Sequence, residues 1–283
     1  MQIENGVEDE MIAKPDMNKW FSTFSFVSKL FREADIEHAF IKLADISIPM
    51  WDIDVLIPNP IEELRALKLL SQHGFKFFKP RLLGHPLKIM CEREGFMSVD
   101  IYPDVMWIRK KVADGIDIVS RRRLVSIKET KAYVPSPEDS FYIIATHAYS
   151  HLRIKPEDIQ KCVIVISESE DFSWNRVYDL SLTYGTMDAV YLLLKILSEL
   201  ELVEIEDDVL SKFLSVRICR MIESWMKKQE LKLPFRIPTR FGCVLSSFYH
   251  SPKIVRKAKF TDVLYDFFTH YLAMASMKLT GET

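Results

Sequence analysis

Apolar residues recur three and four apart over residues 17–34, where Trp20, Phe21, Phe24, Val27, Leu30 and Phe31 predict one amphipathic helix. His38 to Leu43 then reads as a short strand. The run Trp51-Asp52-Ile53-Asp54-Val55-Leu56-Ile57 is strand-like too, and Pro58 and Pro60 stop it. Helical spacing returns over Ile61 to His73 through Leu64, Leu67 and Leu70. Phe75 to Phe78, Leu87 to Cys91 and Met97 to Tyr102 read as further strands, separated by turn-rich pieces such as Leu83-Gly84-His85-Pro86. This order predicts a small mixed sheet with helices packed against it. The first twenty residues are expected to be mobile.

After Tyr133 the pattern changes. Val134-Pro135-Ser136-Pro137-Glu138-Asp139 reads as a linker that is also a helix start. Beyond it helical period dominates, with helices predicted over 137–151, 156–168, 173–184, 187–201, 207–228 and 260–278. In the last of these Phe260, Val263, Leu264, Phe267, Phe268, Tyr271, Leu272 and Ala275 form one stripe, which suits bundle packing better than a membrane anchor. The expected fold class is α+β: a mixed sheet with flanking helices over residues 1–134, followed by an all-helical domain over 135–283.

Composition narrows the function classes. A 48% hydrophobic, 28% charged chain of 283 residues has a real core, and a net charge of -2 gives no global basic field to attract nucleic acid. RNA is therefore possible as a partner but not favoured. Cys91, Cys162, Cys219 and Cys243 lie far apart without Cys-x-x-Cys spacing, which fits reduced thiols in a cytoplasmic protein. The N-terminus is acidic and lacks a signal-peptide pattern. No apolar stretch reaches the roughly 18 to 20 residues of a membrane span. With 8 glycines, the chain has no glycine-rich phosphate loop, so phosphate chemistry must rely on metal and side chains.

The candidate chemistry lies in two apolar runs. Side chains two apart on a strand share a face, so Asp52 and Asp54 project together. Carboxylates that close repel unless a proton or cation lies between them. Asp100, inside Met97-Ser98-Val99-Asp100-Ile101-Tyr102, would add a further ligand from a neighbouring strand. The pattern points to a divalent metal site, Mg2+ or Mn2+. Three solvated aspartates at strand edges are the plainer alternative.

A strand Asp-x-Asp with a third carboxylate on a later strand resembles the polymerase-β-like nucleotidyltransferase superfamily. The resemblance is closest to its uncharacterised bacterial and archaeal group. There a segment like Phe40-Ile41-Lys42-Leu43-Ala44 precedes the Asp-Ile-Asp strand. A piece like Pro135-Ser136-Pro137-Glu138-Asp139, then His147 and His151, opens the helical domain, and Ser173-Trp174-Asn175-Arg176-Val177 looks like a family helix start. The likeness covers roughly residues 25–200. It implies transfer of a nucleoside monophosphate from a nucleoside triphosphate to an acceptor hydroxyl on a small molecule, a protein or an RNA end. Asp52, Asp54 and Asp100 would be the catalytic metal ligands, with Asp100 also able to accept the acceptor's proton. The superfamily usually carries Gly-Ser before this strand to grip phosphates. Here Leu43 stands where the glycine is expected and adds a side chain where close backbone approach to phosphate would be needed, leaving Lys42 to neutralise phosphate and Ser47 to offer a hydroxyl.

His85 and Lys88 precede the third aspartate's strand and are candidate nucleotide contacts. His147 and His151 share a helix face and suit an interface or cleft; with Asp158 they also allow a zinc-hydrolase reading. Arg109-Lys110-Lys111 and Arg121-Arg122-Arg123 are either a phosphate-binding cluster or a solvated face. The Phe75-Lys76-Phe77-Phe78 aromatics suit sheet core better than base stacking. Two further readings stay open: a non-catalytic nucleotide- or protein-binding module of the same fold, and a toxin of a toxin–antitoxin pair.

Overall fold

The first helix, α1 (Met17–Glu33), begins where the Asp16 carboxylate accepts from the backbone N–H groups of Asn18 and Lys19. Trp20, Phe24, Val27 and Phe31 of its apolar stripe are buried, and its bounds match the helix expected over residues 17–34 to within a residue. This computed structural model describes residues 15–43, 48, 50–78, 88–107, 110–151, 153–229 and 231–237. The helix expected over 260–278 lies outside them.

Five strands form the main sheet: β1 (Ala39–Phe40), β2 (Asp52–Leu56), β3 (Lys76–Phe78), β4 (Ile89–Glu92) and β5 (Ser98–Tyr102), in the order β1-β2-β5-β4-β3. Only the β2–β5 pair is parallel, and α2 (Pro60–Gln72), β3 and β4 form the connection that a parallel pair requires. Strand alternation sends Ile53, Val55, Val99 and Ile101 to one face, against Trp20, Phe24, Val27 and Phe31 of α1. Each of these fully buried side chains contributes about 1.5–3 kcal/mol. On the other face, Leu56 and Tyr102 join a second core with Phe141 and Tyr142 of α4 (Pro137–Ser150). That second face is therefore apolar at its Leu56 end and acidic at its Asp52 end. On the edge strand β3, Phe75's neighbours depart from the core expectation. Phe75 is buried, whereas Phe77 and Phe78 are exposed.

Between the sheet and α4 lie elements that no periodicity announced. They are the hairpin β6 (Val105–Trp107) with β7 (Lys110–Ala113), the short helix α3 (Gly115–Ser120), and the hairpin β8 (Arg123–Ile127) with β9 (Thr130–Val134). The basic runs sit here, and much of their charge is spent internally. Lys111 pairs with Asp104 at 3.1 Å and Asp114 at 2.9 Å, Arg121 with Asp139 at 3.1 Å, and Arg122 with Glu37 at 3.5 Å. These pairs take up charge of Lys111, Arg121 and Arg122.

The helical part continues through α5 (Pro156–Ser167), α6 (Trp174–Tyr184), α7 (Met187–Glu199), α8 (Asp207–Leu214) and α9 (Arg217–Met226). The two-residue strands β10 (Arg153–Ile154) and β11 (Phe235–Arg236) pair antiparallel. The single helix expected over 207–228 is broken, because Val216 is extended (φ -88°, ψ 131°). Arg220 then donates to the Leu214 and Ser215 carbonyls left free at the break, at 3.0 and 2.9 Å.

Candidate active site

Register brings the three aspartates together. Asp54 lies opposite Asp100 and Asp52 opposite Ser98 in the parallel β2–β5 pair, and strands pair about 4.8 Å apart. One carboxylate oxygen from each of Asp52, Asp54 and Asp100 lies within 4.8 Å of the others. Trp20 Nε1 donates to the Asp52 carbonyl at 3.1 Å and ties the start of β2 to α1. The Ser98 hydroxyl donates to Asp100 Oδ1 at 3.3 Å.

Two lysines face these carboxylates. Lys42 follows β1 in a left-handed conformation (φ 62°), and its Nζ lies 3.1 Å from Asp54 Oδ2. Lys88, just before β4, donates from Nζ to Asp100 Oδ2. Both ammonium groups stand over the Tyr102 ring, 5.5 and 6.0 Å from its centroid. Burial alone would lower the Lys42 pKa, but Asp54, then Asp52 and Asp100, outweigh it and raise it. Asp52 is pushed up to about 7, first by the Asp54 charge and then by burial. Burial, followed by the three aspartate charges, raises the Tyr102 hydroxyl well above its ordinary value.

The donors fit a hard divalent cation. Asp54 Oδ1 is buried and has no hydrogen-bond partner, an arrangement that costs on the order of 1–3 kcal/mol unless something accepts the oxygen's charge. An all-carboxylate set suits Mg2+ or Mn2+ rather than zinc.

The Leu43 side chain, expected to obstruct phosphate, lies in the α1-facing core on the far side of the sheet. The left-handed backbone that a glycine would serve falls on Lys42 instead. Ser47 and His85 lie outside the described residues.

From the helical part, His147 and His151 at the end of α4 approach with Nε2 atoms 3.2 Å apart. Crowding by the protein, then the charge of Lys42, lowers both pKa values, although the His151 ring reaches solvent. Asp158, the third ligand of the zinc reading, accepts from the Lys155 backbone N–H at 3.0 Å and is not gathered with the two histidines. No third His, Cys, Asp or Glu joins the histidines among the described residues.

Three contributors escaped sequence reasoning. Tyr102 and Ser98 share the Asp100 face by simple alternation, so that signal was present. Lys161 of α5, whose pKa burial lowers while the charges of Asp158, Asp54 and Asp52 oppose the change, carried none.

A family model described as an uncharacterised nucleotidyltransferase matches residues 49–200. No curated protein matches. Among solved structures, the chain is similar to an antigenic nucleotidyltransferase-like protein from Paracoccidioides brasiliensis, at 14% identity and TM-score 0.42 over 72% of this chain and 95% of that one. It is also similar to the antibiotic-resistance factor ANT(2'')-Ia, at 12% identity and TM-score 0.39 over 64% of this chain and 94% of that one. The family match spans the strand that carries Asp52 and Asp54, the third carboxylate Asp100 and helices α4 to α7, more than half of the 283 residues, and the chain belongs to this family of uncharacterised nucleotidyltransferases.

Proposed function

We propose that this chain transfers a nucleoside monophosphate from a nucleoside triphosphate to an acceptor hydroxyl, with pyrophosphate leaving. The observation that carries the reading is the convergence of Asp52, Asp54 and Asp100 within 4.8 Å, beside a buried carboxylate oxygen that lacks a partner. These three residues would hold Mg2+ or Mn2+, which when bound neutralises phosphate charge and polarises the acceptor oxygen. Lys42 and Lys88 place positive charge at the same face, where a triphosphate must lie. Asp100, which accepts from Ser98 and Lys88, would take the acceptor's proton. Ser47 and His85 complete the proposed nucleotide contacts. Residues 1–134 would supply the catalytic half and 135–283 the helical half, from which the Lys161 ammonium feels the Asp54 and Asp52 charges.

No helix among the described residues is long and apolar enough to cross a membrane. Cys91, Cys162 and Cys219 are free and buried, which suits a reducing compartment such as the cytoplasm.

The test is label transfer from each of four α-labelled ribonucleotides, with Mg2+ or Mn2+ and cell extract as acceptor. Wild type is compared with the Asp52→Asn/Asp54→Asn double variant. We expect one labelled acceptor class, reduced by about 100-fold or more in the variant, in line with the several kcal/mol that metal catalysis supplies. Metal-dependent nucleotide binding without transfer to any acceptor would replace this reading with a non-catalytic binding module.

A further inference from the structure

The Lys42 and Lys88 ammonium groups supply counter-charge to two of the three carboxylates. The Asp54 and Asp100 side chains are 5% and 1% exposed, and their lysine partners 18% and 14%. Three carboxylates so close together, two of them buried and Asp52 half-buried, cannot all remain charged without counter-charge. Each lysine takes only one oxygen, Oδ2, of its aspartate. Asp54 Oδ1 stays buried and unpartnered, pointing to a site that the ammonium groups stabilise incompletely.

We infer that Lys42 and Lys88 are built-in counter-ions of the metal-free triad, and that a divalent cation displaces their ammonium groups onto the incoming triphosphate. This rests on the metal reading of the triad. The cation brings two charges at about 2.1 Å from oxygen, whereas an ammonium brings one at about 3 Å, so the carboxylates exchange partners. Once the cation is bound, an ammonium on the same carboxylate is repelled. Both Nζ atoms already stand over the Tyr102 ring, 5.5 and 6.0 Å from its centroid, a contact that each lysine can keep after leaving its carboxylate. The freed charges would then neutralise phosphate oxygens. Metal and nucleotide therefore load cooperatively, and the empty site resists stray divalent ions.

The exchange predicts opposite signs for two affinities. Lys88→Met keeps the stem but removes the charge. In full-length protein titrated with Mn2+ alone, followed by the electron-spin resonance of free Mn2+, Lys88→Met should bind on the order of tenfold more tightly than wild type. With Mn2+ and a non-hydrolysable triphosphate analogue, nucleotide affinity should fall. Tighter metal with weaker nucleotide supports the exchange. Unchanged or weaker metal binding in Lys88→Met overturns it, since the lysine would then be orienting the carboxylate. Wild type and Asp54→Asn binding Mn2+ equally, or neither binding it, would instead remove the metal reading itself. A second measurement needs no substitution. Amine-directed labelling mapped by mass spectrometry should find Lys42 and Lys88 protected without metal and more reactive with saturating Mg2+. Reactivity that Mg2+ leaves unchanged overturns the inference.

Discussion

His38 is fully buried, ringed edge-on by Phe31, Phe40 and Tyr133, with Nδ1 2.7 Å from the Ile36 carbonyl and Nε2 without a partner. Burial lowers its pKa to about 4, the Ile36 contact opposes this, and Arg122 and Arg32 add to the lowering. The folded state therefore keeps the imidazole neutral where the unfolded chain would protonate it near 6.5. Between those values the unfolded state binds more protons, so stability falls as pH drops through the window, by about 3 kcal/mol for this group in full. Urea midpoints at pH 7 and pH 5 should differ clearly in wild type and less in His38→Phe. An equal pH effect in both would assign it to other groups.

At the scale of elements, the join between sheet-bearing and helical parts is an ion-pair hub. Asp139, in the first turn of α4 and 1% exposed, accepts from Arg121 after α3 (3.1 and 3.3 Å) and from Arg176 of α6 (3.2 Å). Next to it, Glu138 accepts from the Ser173 backbone N–H at the start of α6, at 3.1 Å. Asp139→Ala would strand two guanidinium groups in a partly buried place and should cost about 3 kcal/mol. Chemical denaturation would show this as a lower midpoint. A midpoint within experimental scatter of wild type would mean that solvent already screens the hub.

For the whole molecule, the cleft couples ligand to stability. A cation bound by carboxylates of β2 and β5 binds only the folded chain, so Mn2+ at about 100 times its Kd should add about 2.7 kcal/mol. Calorimetry should record a Tm that rises with Mn2+ concentration, returns on adding chelator, and stays flat in Asp54→Asn. A rise of equal size in that variant would place the binding elsewhere. Because Leu56 and Tyr102 of the sheet pack into the core of the helical part, we expect the two parts to melt as one unit.

Local pattern determined much of this protein. Alternation marked the β2 and β5 strands, put Asp52 and Asp54 on one face, and singled out Asp100, because a carboxylate inside an apolar strand is rare enough to stand out. Helical spacing found α1, α2 and α4 to α7 to within a residue or two. Only tertiary structure decided the rest. The parallel register that sets Asp54 opposite Asp100 depends on a crossover that no local signal encodes. The hairpins β6–β7 and β8–β9 are short, and the inward side chains of the second, Val125, Ile127, Ala132 and Val134, find their partners only in the α1-facing core. Leu43 read from sequence as an obstruction, yet the left-handed turn at Lys42 sends leucine into the core and lysine onto Asp54. Which side of a sheet a residue reaches after such a turn depends on backbone geometry, and residue type alone does not fix it.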